Sequence, residues 1–254
     1  MASQVQKLLG ANLAHSSLTL RRCCLAGIVG SGICRRFLEE GAVVVAPLRS
    51  EARRADVEEE LQGVTLLHGQ LDTPILDYST AAGADALAQY VRERHGGHID
   101  IVVASLGGGF KMGPLSALSS TDFHDALGRA LPHMLLAQSL FPLLKEQASS
   151  CFIAVTGMLG EVCSMPNAAA LSIANAAIYG VVRALEAERR EAPQRVVEVR
   201  LTTRACVAHL VWHPRPHARP ASLAAAHRGA DSQEQQAGPP LHHRWHRLPG
   251  QLYR

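Results

Sequence analysis

The chain has 254 residues, of which 47% are apolar and 19% are charged, and its mean hydropathy is +0.04. This composition is typical of a soluble globular protein, and no run of 18 uncharged apolar residues predicts a transmembrane helix. The first 24 residues have no continuous apolar stretch, so we expect no secretory signal. Six cysteines without a Cys-x-x-Cys pair favour a reducing cytoplasm over a disulfide scaffold.

The charge is distributed unevenly along the chain. Residues 201–254 contain seven Arg, no Lys and two acidic residues, which give +5, so residues 1–200 carry −2 of the net +3. The same 54 residues hold seven of the 13 His, six of the 13 Pro and both Trp. We therefore predict a folded domain at 1–205 and a basic, disordered tail at 206–254. Because the tail supplies the positive charge, we expect no nucleic-acid partner.

Helices and strands alternate along the predicted domain. A glycine-rich turn at 25–33 precedes a helix that ends at Gly41. The later predictions, in chain order, are strands at 43–48 and 64–67, a helix at 83–95, a strand at 99–105, a long helix at 121–147, a strand at 152–156, a helix at 167–189 and a strand at 195–201. Apolar strands separated by helices predict a parallel sheet with helices on both faces, which is a doubly wound, Rossmann-like α/β fold with three αβα layers. Ligands gather at the carboxyl ends of such strands.

The glycine turn is a candidate phosphate-binding site. Glycine lets the backbone approach a pyrophosphate, and the following helix offers free N–H groups to it. The residues predicted to contact a dinucleotide here are Gly27, Gly30, Ser31, Gly32 and Ile33. The alternative is a tight turn that binds nothing. An acidic residue after the second strand would bind the ribose of NAD, but this position is Arg49, which suits the 2′-phosphate of NADP. The sequence therefore favours NADP, and the alternative is that Arg49 is a solvated surface residue.

The domain resembles the short-chain dehydrogenase/reductase family over residues 20–200. The matching segments are Gly27-x-x-Gly30-x-Gly32, the strand 102–108, Gln70-Leu71-Asp72, the strand and turn 152–160 and the helix start 166–177. The resemblance implies that Asp72 contacts the adenine and that Ser105, Gly107 and Asn175 also lie at the cofactor. It further implies that the helices 121–147 and 167–189 pair in a homo-oligomer.

The family's chemistry uses a Tyr that transfers the proton and a Lys four residues later, while the nicotinamide transfers a hydride. This sequence has Leu171 at the Tyr place and Asn175 at the Lys place. Thr156 or Gly157 stands at the place of a Ser that orients the substrate, and Arg129 is the nearest match to a relay Asn. Leucine cannot donate a proton. Thr156 keeps a hydroxyl that can orient a carbonyl and is the candidate catalytic residue, and the equally good alternative is a strand-end threonine whose hydroxyl is hydrogen bonded within the protein.

Tyr179 and Arg183 repeat the Tyr-x-x-x-basic spacing two turns further along the helix. Eight helical residues displace this pair by about 12 Å, so a core or interface tyrosine is the better interpretation. In the tail, His242, His243 and His246 are a weak metal-binding pattern without a nearby Cys, and we predict no metal site.

Two functions follow as hypotheses. The first is an NAD(P)-dependent oxidoreductase that acts on a carbonyl or alcohol; the second is an inactive family member that serves as a cofactor-binding or protein-interaction module. A third hypothesis is that the chain is a defective gene product that does not fold stably. It is motivated by two Arg that interrupt the first strand at 18–24, and by a basic tail after 206 where the family has a lid. A wrong splice site or reading frame would produce such ends.

Overall fold

The computed structural model describes residues 21–24, 28–64, 70–106, 111–201 and 208–211. Within these residues the strands are β1 Arg21–Cys24, β2 Val43–Val45, β3 Leu71–Asp72, β4 Ile101–Ala104, β5 Cys151–Gly157, β6 Arg195–Leu201 and β7 Ala208–Val211. The helices are α1 Ile28–Glu39, α2 Ala52–Glu60, α3 Ala81–Arg94, α4 Ser120–Gly128, α5 Leu131–Leu140 and α6 Ala169–Glu188. Short 3₁₀ turns lie at Leu115–Ala117, Phe141–Leu143 and Met158–Gly160.

The described strands form one seven-stranded sheet in the order β3-β2-β1-β4-β5-β6-β7. The first six pair in parallel, and β7 pairs antiparallel with β6. This confirms the predicted doubly wound α/β fold. The strand order reverses between β1 and β4, which makes the carboxyl ends of these two strands the topological switch point where such sheets bind ligands.

The core lies on both faces of the sheet, because alternate residues of a strand point to opposite sides. Phe152 and Ala154 of β5 pack in the cluster that includes residues of α3, α5 and α6. Ile153 and Val155 pack in the cluster that includes residues of α1 and α2. The apolar run in β5 is therefore buried on both sides, as expected for a central parallel strand.

The prediction of one continuous helix at 121–147 was wrong. The chain forms α4 and α5 with a break at residues 129–130, and the last turn becomes a 3₁₀ helix. Pro132 is the physical reason for the break. It has no N–H to donate to the carbonyl of Gly128, and its ring would clash with that carbonyl in a continuous helix.

Other boundaries also differ from the sequence prediction. The predicted strand at 64–67 falls mostly outside the described residues, and the strand in this region is β3. Strand β1 forms at Arg21–Cys24 despite its two Arg, and β7 lies beyond the predicted domain end at 205. The helix before Gly41 ends as predicted, with Gly41 at φ +77°. Residues 212–254, including the predicted histidine patch, lie outside the described residues.

One helix among the described residues, α6, is long and apolar enough to cross a membrane by length and composition. Its residues Ala174, Ile178 and Val182 are buried inside the protein. A helix that packs against a sheet on one side passes the same test, so the length of α6 carries no membrane argument.

Candidate cofactor and active site

The glycine segment lies at the start of α1, beside the switch point. Because α1 begins at Ile28, Gly30, Ser31 and Gly32 belong to its first two turns, whereas Gly27 lies outside the described residues. Gly30 and Ser31 are buried, Ile33 is half-buried and Gly32 is exposed. A Cβ added at Gly32 would meet no atom within 4 Å. Among the described residues no packing therefore requires glycine there, and the open space fits the close approach of a ligand.

Arg49 is exposed four residues after the end of β2. Its neighbour Leu48 forms an isolated parallel bridge with Ile75, which follows β3. The pKa of nearby Asp77 is lowered, first by hydrogen bonds from Ser79 and also by the charge of Arg49. Ser105 is buried directly after β4, and Gly107 lies outside the described residues. Arg49 and Ser105 thus follow β2 and β4 at the edge that carries the glycine segment.

Asp72 faces α3. Its Oδ2 accepts a hydrogen bond from the Tyr90 hydroxyl at 2.7 Å and lies 2.9 Å from Nε2 of His95. Burial raises the pKa of Tyr90, and the hydrogen bond to Asp72 adds to this effect. These contacts tie β3 to the C-terminal end of α3, and this structural role of Asp72 was not predicted from the sequence.

Asn175 holds the end of β5 against α6. The Gly157 N–H donates to Asn175 Oδ1 at 2.7 Å, and Asn175 Nδ2 donates to the Leu171 carbonyl at 2.9 Å. Asn175 is buried, and Leu171 is half-buried one turn before it. A Cβ at Gly157 would lie 3.1 Å from Asn175 Nδ2, and a Cβ at Gly160 would lie 2.6 Å from the Ala176 nitrogen. Close packing against the α6 backbone thus requires glycine at position 160, and at Gly157 the contact with the Asn175 side chain is tight.

A buried charged network lies next to this contact, on the α6 face of the sheet. The Thr156 hydroxyl donates to Glu198 Oε1 at 2.8 Å. Arg200 donates from Nε to Glu198 Oε1 at 3.0 Å and from Nη2 to Glu198 Oε2 at 2.9 Å. The third contact of Arg200 is from Nη1 to Glu161. The side chains of Glu198 and Arg200 are only 2% and 5% exposed. The hydrogen bonds to Glu198 are the main reason why the pKa of Arg200 is raised.

Tyr179 completes the network from α6. Its hydroxyl donates to the Gly157 carbonyl at 2.5 Å, and Arg200 Cζ lies 4.1 Å from its ring centroid. Burial raises the pKa of the Tyr179 phenol, while the charge of Arg200 acts in the opposite direction. Glu198 and Arg200 were not predicted as site residues from the sequence. Their signal was the two-residue spacing in a strand, which places both side chains on one face.

These contacts limit the chemistry available at the end of β5. The hydroxyls of Thr156 and Tyr179 each donate to an acceptor within the protein, and the Leu171 side chain has no proton to transfer. Arg129 is exposed at the end of α4. Within the described ranges no group of three or more His, Cys, Asp or Glu residues could hold a metal ion.

The fold and this edge define a doubly wound protein of the dinucleotide-binding class. The profile of the short chain dehydrogenase family matches residues 24–208. The chain belongs to this family of NAD(P)-dependent oxidoreductases. A search of curated proteins gave no significant match.

Solved structures agree on the fold. A dehydrogenase/reductase from Sinorhizobium meliloti 1021 is 20% identical, with a TM-score of 0.64 over 78% of this chain and 76% of the other. An alcohol dehydrogenase from Thermococcus sibiricus, complexed with 5-hydroxy-NADP, is 21% identical, with a TM-score of 0.61 over 72% and 76%. An NADPH-bound short chain oxidoreductase from Pseudomonas aeruginosa PAO1, described as containing an atypical catalytic center, is 19% identical, with a TM-score of 0.60 over 72% and 70%.

Proposed function

We propose that this protein is an oxidoreductase that acts on a carbonyl or alcohol compound and prefers NADP(H) to NAD(H). The observation that carries the proposal is the open space at Gly32, at the start of α1 and beside the switch point of the sheet. When bound, the nicotinamide supplies or accepts a hydride. The protein would hold the cofactor and orient the substrate.

The cofactor-holding residues that we propose are those of the sequence analysis. The free backbone N–H groups in the first turn of α1, which include that of Gly30, would hold the pyrophosphate, and Ser31 and Gly32 would line its approach. The full set is Gly27, Gly30, Ser31, Gly32, Ile33, Arg49, Asp72, Ser105, Gly107 and Asn175. Asp72 and Asn175 make internal hydrogen bonds, so their proposed role is to position the adjacent backbone.

Arg49 is the basis of the NADP preference. It is exposed at the end of the β2 segment, and a guanidinium binds a phosphate through charge-assisted hydrogen bonds. We expect Arg49→Ala to raise the Kd of NADPH about tenfold and to leave the Kd of NADH nearly unchanged. Arg53→Ala is the matched control, because Arg53 is also exposed but pairs with Asp56. If Arg49→Ala raised the Kd of NADPH and the Kd of NADH by the same factor, the argument for an NADP preference would fail.

The proton in this proposal comes from solvent water. We place Leu171 at the position of the family's tyrosine, and the Thr156 hydroxyl donates to Glu198 rather than outward. A missing general acid lowers a rate by roughly 10²–10⁴, so we expect slow turnover. The Pseudomonas relative, which is described as having an atypical catalytic center and was solved with NADPH, supports cofactor binding in a family member of this kind.

The second candidate is a non-catalytic family member that serves as a cofactor-binding or protein-interaction module. The internal hydrogen bonds of Thr156, Asn175 and Tyr179 favour it, because these polar groups stabilise the fold at the place where chemistry would occur. Such a pseudoenzyme would bind the nicotinamide cofactor and turn over no substrate.

One experiment separates the two candidates. Purified full-length chain is titrated with NADPH and NADH, followed by thermal shift, and then assayed against a panel of carbonyl and alcohol compounds. Binding raises the stability by RT ln(1 + [L]/Kd). A shift with turnover supports the oxidoreductase, and a shift without turnover supports the non-catalytic module. No shift with either cofactor would refute both cofactor-based proposals.

We also propose a homo-oligomer. Four apolar side chains are 37–47% exposed on α4 and α5, with helical spacing within each helix: Phe123 and Leu127 on α4, and Leu131 and Met134 on α5. A second copy of the chain would cover them. Sedimentation of the wild type and of a Leu127→Asp/Leu131→Asp variant tests this, with the variant expected to be monomeric.

The proposed location is the cytoplasm. Among the described residues Cys34, Cys151 and Cys163 are free thiols, which suits a reducing compartment. The proposal includes no nucleic-acid or membrane partner.

A further inference from the structure

An ion pair lies at the start of α2, shortly after Arg49 in the chain. Arg54 donates from Nε to Glu51 Oε1, and from Nη2 to Glu51 Oε2 at 3.2 Å. Such a two-point contact between a guanidinium and a carboxylate fixes the orientation of both groups. The hydrogen bonds from Arg54 are the main reason why the pKa of Glu51 is lowered, so Glu51 is ionised at neutral pH.

Arg54 is itself anchored to the neighbouring strand connection. Its Nη1 donates to the Thr73 hydroxyl, and its Nη2 donates to the Thr73 carbonyl at 3.2 Å. Thr73 directly follows β3, and Glu51 lies in the connection from β2 to α2. The contacts from Glu51 through Arg54 to Thr73 therefore join the segments that follow β2 and β3, at the carboxyl edge of the sheet. The Glu51 side chain is 69% exposed there, so a bound molecule can reach it.

Glu51 is close enough to Arg49 to influence what Arg49 binds. The two residues are two positions apart, so their Cα atoms are separated by at most about 7 Å. This is less than the Debye length of about 8 Å in physiological salt, so their charges are only partly screened from each other. Arg53 pairs with Asp56 and Arg54 pairs with Glu51, which leaves Arg49, among the described residues, as the arginine of this segment without an ion pair.

We propose that Arg54 is a positioning residue that sets the cofactor preference by holding the Glu51 carboxylate. While Arg54 binds this carboxylate, Arg49 is the free charge that a 2′-phosphate meets. Without Arg54, Glu51 would be a free acid after β2, where it would repel a 2′-phosphate and could accept a hydrogen bond from the 2′-hydroxyl of NADH. The inference rests on the proposed function, and it makes the preference depend on a residue that does not contact the phosphate.

The test compares the Kd values of NADPH and NADH in fluorescence titrations of the full-length chain. Because Glu51 and Arg54 are partly exposed and screened, Arg54→Leu should raise the Kd of NADPH only about fivefold and should lower the Kd of NADH about twofold. The double variant Glu51→Gln/Arg54→Leu should restore the ratio of the two Kd values, because the free carboxylate is gone. The effect of Arg54→Leu should also shrink in about 1 M salt, where the Debye length is about 3 Å.

Arg53→Leu is the matched control, because Arg53 lies in the same turn of α2 but pairs with Asp56. It should leave the ratio of the two Kd values unchanged. Glu51→Gln alone keeps the Arg54 anchor on Thr73 and should bind NADPH at least as tightly as the wild type, and circular dichroism checks that every variant folds.

Three results would overturn the proposal: an equal change of the ratio in Arg53→Leu, an unchanged ratio in Arg54→Leu, or weaker NADPH binding by Glu51→Gln. A double variant that kept the altered ratio of Arg54→Leu would also overturn it, because Glu51 would then not be the group through which Arg54 acts. Failure of the wild type to bind either cofactor would refute the proposed function and this inference with it, whereas cofactor binding with an unchanged ratio would refute the inference alone.

Discussion

His133 in the first turn of α5 makes the stability of the protein sensitive to acid. Its side chain is 1% exposed, and within the described structure neither ring nitrogen has a hydrogen-bond partner. Burial lowers the pKa of His133 from 6.5 to about 4. The ring is therefore neutral in the folded protein at pH 7, whereas the unfolded chain takes up a proton as the pH falls below 6.5.

The magnitude follows from proton linkage. Because the unfolded state binds more protons between pH 6.5 and 4, the free energy of unfolding falls as the pH falls through this window. Each unit of pKa difference corresponds to about 1.4 kcal/mol, so His133 alone removes about 2 kcal/mol at pH 5 and about 3 kcal/mol at pH 4. Above pH 6.5 His133 is neutral in both the folded and the unfolded protein, so it removes no stability there.

Urea unfolding followed by circular dichroism at pH 7.5, 6.5, 5.5 and 4.5 measures the effect. His133→Leu should lose this part of the pH dependence and should equal or exceed the wild type in stability at pH 7.5, since it removes an unpartnered polar ring. His133→Gln should also lose the pH dependence but keeps the buried polar group. Parallel curves for the wild type and both variants would refute the reasoning, because carboxylates elsewhere would then explain the whole slope.

Three further changes test the packing around the end of β5. Arg200→Met should lower the free energy of unfolding by about 3–5 kcal/mol, because it leaves Glu198 as a buried, unpaired charge. The double variant Glu198→Leu/Arg200→Met should recover much of this loss in the same urea titration; an equally unstable double variant would contradict it. Gly160→Ala should destabilise the protein by at least about 2 kcal/mol, because the added Cβ would clash with α6. Gly180→Ala, within α6, is the control. Its Cβ would meet none of the described atoms within 4 Å outside the backbone of α6, so it should stabilise the protein by up to about 1 kcal/mol. Asn175→Ala should cost about 1–3 kcal/mol, because the buried Gly157 N–H loses its acceptor, and native-state hydrogen exchange at that amide should accelerate.

The sequence predicted the order of strands and helices because the central strands are buried on both faces. The run from Ile101 to Ala104 and the run from Cys151 to Val155 are apolar without alternation, and this pattern is typical of a covered parallel sheet. Strand β1 was harder, since Arg21 and Arg22 interrupt the apolar pattern and the pairing with β2 and β4 forms the strand. The break before α5 has a signal in the sequence, Pro132, which the prediction of one helix at 121–147 did not take into account.

The glycine segment could be recognised because it depends on local sequence, but its conformation was predicted only in part. Gly30, Ser31 and Gly32 were expected in a turn before a helix, and the structure places them in the first two turns of α1. The network of Thr156, Tyr179 and Glu198 joins residues up to 42 positions apart, and the register of β5 with β6 brings them together. The spacing of charges in β6 showed that they share a face, but it did not show that α6 covers that face.

The contacts of Gly157 explain why the end of β5 is built from residues that hold each other. Its N–H is bound by Asn175 and its carbonyl by Tyr179, so both backbone groups of one residue are secured by α6. The absence of a Cβ at Gly157 lets the Asn175 amide approach to hydrogen-bonding distance. Thr156 is held by Glu198 from the neighbouring strand. Because these polar groups are committed to one another, they stabilise a fixed platform beside the switch point. In the proposed reaction, this platform would orient the bound molecules, while the hydride would come from the cofactor and the proton from solvent.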